Sequence, residues 1–260
     1  LDEAPVSYIK WDMNRCMSEV YSHFCRPEEQ GMVFHRYILG VYSLYEKLTR
    51  RYPHILFESC ASGGARFDPG MLYYAPQCWT SDDTDAVERL KIQYGTSMVY
   101  PLSSMGAHVS AVPNHQVLRT TPIETRANVA CFGTFGYELD LNQLPGEELE
   151  KVRRQIAFMK ASRELIQFGT FYRLLSPFEG GGNVTAWMVV SGDRKKALVG
   201  YYRILEPVNE GYRKVRLAGL EAGLRYHVSV QGGGYHGGFR EVDVYGDELM
   251  NFGLIVSDSS

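Results

Sequence analysis

Apolar and polar positions fall into two textures along the chain. From the start to about residue 168, short apolar runs alternate with helical patterns, the order expected of βα units in a parallel sheet or barrel. Val6-Ser7-Tyr8-Ile9 reads as a strand that presents Lys10, Trp11 and Asp12 at its C-terminal end. Phe34, Ile38, Val41, Tyr45 and Leu48 recur at steps of four and three, which predicts one face of a helix. His54-Ile55-Leu56-Phe57 reads as a second buried strand, ending at Glu58, Ser59 and Cys60. Pro76 to Trp79 opens a third unit that passes through Ser81-Asp82-Asp83-Thr84-Asp85 into a helix from about Ala86 to Tyr94. Asp85, with Glu88 three residues on, fits a capping arrangement for that helix. Ser97-Met98-Val99-Tyr100 is expected to start a fourth unit and Asn128 to Phe132 a fifth, followed by a long helix with Leu149, Val152, Ile156 and Met159 on one face.

After about Gly169 the pattern changes to short β-rich runs: Val184 to Val190, Ala197 to Ile204, Val215 to Ala218, Tyr226 to Val230 and Glu241 to Tyr245. Turn-rich stretches, Gly180-Gly181-Gly182-Asn183 and Gly232-Gly233-Gly234, separate them, which is the outline of an antiparallel sandwich. The expected architecture is therefore α/β: residues 1–168 form the C-terminal portion of a (β/α)8 barrel, and residues 169–260 an antiparallel β-sandwich domain. A closed barrel needs eight strands and this region offers about five, so roughly three units are expected upstream. A start at Leu1-Asp2-Glu3, without an initiator Met, agrees with that expectation.

Composition narrows the function classes. A chain of 260 residues that is 45% hydrophobic and 22% charged can bury a sizeable core. Its net charge of -3 leaves no electrostatic footprint for nucleic acid. No apolar run approaches the roughly 20 residues that cross a bilayer, so no membrane partner is expected. Cys16, Cys25, Cys60, Cys78 and Cys131 are odd in number and irregular in spacing, with no CxxC pair; they read as reduced thiols in a cytoplasmic protein.

Candidate chemistry lies at the predicted strand ends, which form the active face of a parallel α/β fold. Ile9-Lys10-Trp11-Asp12-Met13-Asn14-Arg15 clusters a Lys, an Asp, an Asn and an Arg after an apolar strand. Lys10 beside Asp12 would hold that carboxylate ionised; the alternative is a helix cap by Asp12 or Asn14 with a solvated Arg15. Glu58 to Asp68 is rich in small residues, so a ligand can approach the backbone closely. It lacks the spacing of a phosphate or dinucleotide loop. Cys60 reads as pocket wall, because no His is placed to activate it. Trp79-Thr80-Ser81-Asp82-Asp83-Thr84-Asp85 carries three carboxylates in four residues. A divalent metal site and a general acid both fit that run; apolar Trp79 and the absence of EF-hand spacing favour the acid. His23, His35, His54, His108, His115, His227 and His236 show no paired ligand spacing. Two carboxylates on strand ends of one barrel are the minimum set for glycoside hydrolysis.

These three segments, in this order and spacing, resemble glycoside hydrolase family 36 α-galactosidases, and the likeness extends to Tyr245-Gly246-Asp247-Glu248-Leu249-Met250 near the end. The resemblance implies a barrel enzyme that hydrolyses terminal α-galactosides of the melibiose and raffinose type with retention, with Asp12 as nucleophile and Asp82 as general acid/base. It places Lys10, Asn14 and Cys60 against the galactose and adds Gly63, Arg66 and Trp79 to the pocket wall. No cofactor or metal is implied. It further implies an upstream β domain and first barrel strands carrying a Trp and an Asp-Asp pair, a homo-oligomer that is tetrameric by analogy, and little activity or stability for these 260 residues alone. Within the class, α-N-acetylgalactosaminidase and raffinose-synthase-like galactosyltransferase are the rivals; outside it, a carbohydrate-binding fragment without catalysis.

Overall fold

A computed structural model describes residues 1–14, 18–205, 208, 211, 213–230 and 241–256. Arg15, Cys16, the Gly232-Gly233-Gly234 turn and His236 lie outside the described residues. The chain divides into two compact units, Leu1–Asp82 and Asp83–Ser260.

In the first unit, β1 (Tyr8–Asp12), β2 (Leu56–Cys60) and β3 (Gln77–Trp79) run parallel, with Lys10 opposite Glu58 and Glu58 opposite Gln77. Two helices, α1 (Val33–Arg51) and α2 (Pro69–Tyr74), accompany them. The period of two splits each strand between two faces. Ile9, Trp11 and Phe57 pack with Val41 and Tyr45 of α1, and Trp11 lies 4.7 Å from the Tyr45 ring. Tyr8, Lys10, Asp12, Glu58 and Cys60 are left for the opposite face. The strands extend further than the apolar runs suggest: Asp12 and Cys60 are the last residues of their strands and stand in direct register. On α1, Val41 and Tyr45 are buried as the periodicity requires, whereas Phe34, in the first turn, is 48% exposed. The short α2, whose N-cap Asp68 accepts from the Met71 amide, has too few residues to show a period and was not expected.

The second unit begins with α3 (Ala86–Thr96), β4 (Met105–Ser110), α4 (Ile123–Ala130), β5 (Thr134–Glu138) and α5 (Gly146–Phe168), with β4 and β5 parallel. Here two expectations fail. Ser97 to Tyr100 is a turn, with Met98 and Val99 exposed, and the strand is Met105–Ser110. Asn128 to Phe132 covers the end of α4 and its C-cap, and the strand follows at Thr134–Glu138. The antiparallel part comprises the sheet β6 (Thr170–Leu175), β7 (Val184–Val190) and β8 (Ala197–Arg203). Two strand pairs complete it: β9 (Lys214–Val215) with β12 (Leu254–Ile255), and β10 (Arg225–Val228) with β11 (Val242–Tyr245), the helix α6 (Gly246–Asn251) following β11. All seven residues of β7 are buried. Trp187 and Val189 pack with Phe132, Met159 and Ile166, while Ala186, Met188 and Val190 pack with Val215, Leu217, Leu220 and Leu249. A strand covered on both faces reads as a continuous apolar run, which is why its limits were legible.

Asp85 caps α3 as expected: its carboxylate accepts from the amides of Val87 and Glu88 at 3.0 and 3.1 Å and pairs with Arg119. Asp85→Ala is expected to remove about 2 kcal/mol of stability, because the cap is lost and Arg119 loses its buried partner. Chemical denaturation would register this as a lower midpoint, and an unchanged midpoint would contradict it.

Candidate active site

The expected site residues of the first unit gather at the C-terminal ends of its strands. Asp12 is exposed at the end of β1. Its Oδ2 accepts from Asn14 Nδ2 at 2.9 Å, and Asn14 Oδ1 in turn accepts from the Ser62 amide at 2.7 Å. One side chain two residues downstream thus fixes the carboxylate and ties it to the next loop. Cys60 stands in register with Asp12, is 2% exposed and lies beside the same carboxylate. Burial pushes the Cys60 thiol up to about 11, and the negative charge of Asp12 beside it acts in the same direction. It therefore remains a neutral S–H donor at physiological pH and is no nucleophile.

Lys10 shares the face of Asp12, and its ammonium lies 5.2 Å from the centre of the Trp79 ring, a cation–π contact. Trp79, at the end of β3, is 3% exposed, so it supplies an apolar floor. One layer down, buried Glu58 accepts from the Tyr8 hydroxyl and from Gln77 Nε2 at 3.0 Å. Sequence reading gave Tyr8 and Gln77 no role; counting back in twos from Asp12 and Trp79 would have put both on the site's face.

Arg66 faces backbone. Its Nη2 donates to the carbonyls of Met13 at 2.6 Å and Cys60 at 3.2 Å, so it clamps the ends of β1 and β2 together. The Met13 amide donates to that same Cys60 carbonyl at 3.0 Å. Gly63, at φ +79°, and Gly64 lie against the segment Thr80-Ser81-Asp82. Asp82 itself is exposed, immediately beyond this contact.

An acid at the end of β1 and another just beyond β3, with Lys10 and a buried Trp at these strand ends, form a constellation that a family comparison can test. The Melibiase family model matches residues 1–169, and the glycosyl hydrolase family 36 C-terminal domain model matches residues 184–260. The chain belongs to glycoside hydrolase family 36. Alpha-galactosidase AgaA of Geobacillus stearothermophilus is 56% identical over 254 residues, covering 98% of this chain and 33% of that relative. Alpha-galactosidase 1 of Pediococcus pentosaceus is 48% identical over the same share of each chain. The crystal structure of AgaA superposes on all of this chain with a TM-score of 0.91 at 54% identity, covering 34% of its own length. This family 36 chain thus spans about a third of the relatives it matches, and its fold is the C-terminal portion of their barrel with the domain that follows.

Proposed function

We propose that this chain carries the two catalytic carboxylates of a longer retaining α-galactosidase. Asp12 attacks the anomeric carbon while Asp82 protonates the leaving oxygen; Asp82 then deprotonates the water that releases galactose. The observation that carries this reading is the setting of Asp12. A strand-end carboxylate held by a side-chain amide that is itself tied to the Ser62 backbone is fixed in orientation yet open to solvent, as a nucleophile must be. Lys10, Asn14 and Cys60 face the sugar, with Gly63 and Trp79 as wall and floor, and Arg66, assigned to that wall by the resemblance, supports it from behind. Residues 1–168 belong to the catalytic barrel and residues 169–260 to the C-terminal β domain.

The relatives support the substrate class. AgaA of Geobacillus stearothermophilus has been crystallised in complex with raffinose and with stachyose. Each complex carries an aspartate substitution, and the two aspartates stand 70 positions apart in that chain, the spacing of Asp12 and Asp82 here. A reduced thiol set, with Cys25, Cys60, Cys78 and Cys131 all free, supports the reading of a cytoplasmic enzyme.

Proton NMR of raffinose hydrolysis by the full-length enzyme tests the reading. α-Galactose should appear first and convert to the β anomer only by mutarotation. Initial release of β-galactose would mean inversion, and no galactose at all would remove the hydrolase assignment.

A further inference from the structure

We infer that the Gly63-Gly64 step is a positioning element for Asp82, setting how closely the backbone that bears this acid approaches the strand end that bears Asp12. This rests on Asp82 acting as the acid. The loop after β2 is anchored on the Asp12 side at three points: Asn14 joins the Asp12 carboxylate to the Ser62 amide, Arg66 grips the Met13 and Cys60 carbonyls, and the Met13 amide meets the Cys60 carbonyl. Within the loop, the Ala61 amide donates to the Gly63 carbonyl and the Phe67 amide to the Gly64 carbonyl, both at 2.9 Å, so the turn has a fixed shape.

The other side of this turn rests on the Asp82 segment with no side chain between. A Cβ on Gly63 would lie 2.6 Å from Ser81 Cα, 3.0 Å from the Ser81 nitrogen and 3.1 Å from the Asp82 nitrogen; one on Gly64 would lie 2.9 Å from the Thr80 carbonyl oxygen. Every one of these atoms is backbone, so a methyl group there must move the main chain of Asp82 rather than swing a side chain aside. A retaining pair works at a carboxyl separation of about 5–5.5 Å, and a displacement near 1 Å can cost about 100-fold in rate. Glycine at 63 and 64 is therefore a spacer of zero thickness between the nucleophile's loop and the acid's backbone. A sugar contact at Gly63 would affect every galactoside alike, whereas a misplaced acid harms only substrates whose leaving group needs a proton.

The experiment compares kcat/KM for p-nitrophenyl α-galactoside, whose leaving group needs little protonation, with methyl α-galactoside, which needs it fully, in the full-length enzyme. The ratio of the two on one preparation does not depend on the fraction folded. Gly63→Ala should lower the methyl galactoside value roughly 100-fold and the p-nitrophenyl value by less than about 10-fold. Asp82→Asn is the control: if it leaves the ratio unchanged, the acid assignment itself is wrong. If Asp82→Asn moves the ratio and Gly63→Ala lowers both substrates equally, the acid stands and the spacer inference falls. Because Gly63 has a positive φ that alanine tolerates poorly, Gly64→Ala, whose φ is not in that region, is made in parallel and should shift the ratio in the same direction. Failure of both variants to fold would assign the two glycines to packing and overturn the inference.

Discussion

Asp12→Gly in the full-length enzyme is expected to lose turnover by roughly 10⁴-fold or more, since nucleophile removal eliminates the covalent route and leaves only binding and electrostatic contributions. The surroundings of Asp12 give the variant a second signature. With the carboxylate gone, Asn14 Nδ2 loses its acceptor while the neutral Cys60 thiol and Lys10 remain on the same face. A freed amide donor, a neutral thiol and a cation form a small anion site where the carboxylate stood. Added azide should occupy it, attack from the face opposite the leaving group and give β-galactosyl azide. Mass and NMR analysis of the product checks this; near-normal activity without azide would show that another group is the nucleophile.

Asp82→Asn should fail in the complementary way. Protonation of the leaving oxygen by a positioned acid is worth about 10²–10⁴-fold, so kcat/KM for raffinose or methyl α-galactoside falls by that range. The value for p-nitrophenyl α-galactoside falls far less. The same change removes the base that activates water, so the galactosyl enzyme on Asp12 accumulates and a burst of p-nitrophenol precedes a slow steady state. Azide needs no base, and here it intercepts the covalent intermediate to give α-galactosyl azide. The opposite anomers from the two variants separate nucleophile from acid on one readout; the same anomer from both would refute the division of roles.

Much of this site is visible along the chain because its residues are local to strand ends. Lys10, Asp12 and Asn14 sit within five residues, and the alternation of a strand puts Lys10 and Asp12 on one face while Trp11 turns to α1. Asp85 was separable from Asp82 by a short-range rule, the cap, and its carboxylate does accept from two helix amides. Where burial on both faces leaves a continuous apolar run, as in β7, the limits read correctly.

The failures share a cause. Met98 and Val99 have strand-like composition but lie exposed in a turn, and the actual strand, Met105 to Ser110, includes Gly106, His108 and Ser110 on alternate positions. Thr134-Phe135-Gly136-Tyr137-Glu138 likewise alternates polar or small residues with aromatics, and Phe135 and Tyr137 find their partners only across the fold. A face that points into a barrel need not be apolar, so its strands do not announce themselves.

The sequence by itself determined the alternation of strands and helices in the first part of the chain, the switch to antiparallel strands, and the clustering of Lys10, Asp12 and Asn14 at one strand end. Those follow from propensities and periods that act over a few residues. Only the tertiary structure decided what each neighbour does. Arg66 grips two carbonyls, Cys60 is a buried neutral thiol beside Asp12, and Gly63 touches the backbone of Ser81 and Asp82. Apart from the Arg66–Cys60 bond, these contacts join residues 18 to 53 positions apart. They depend on strand register and loop shape, which no local pattern of side chains encodes.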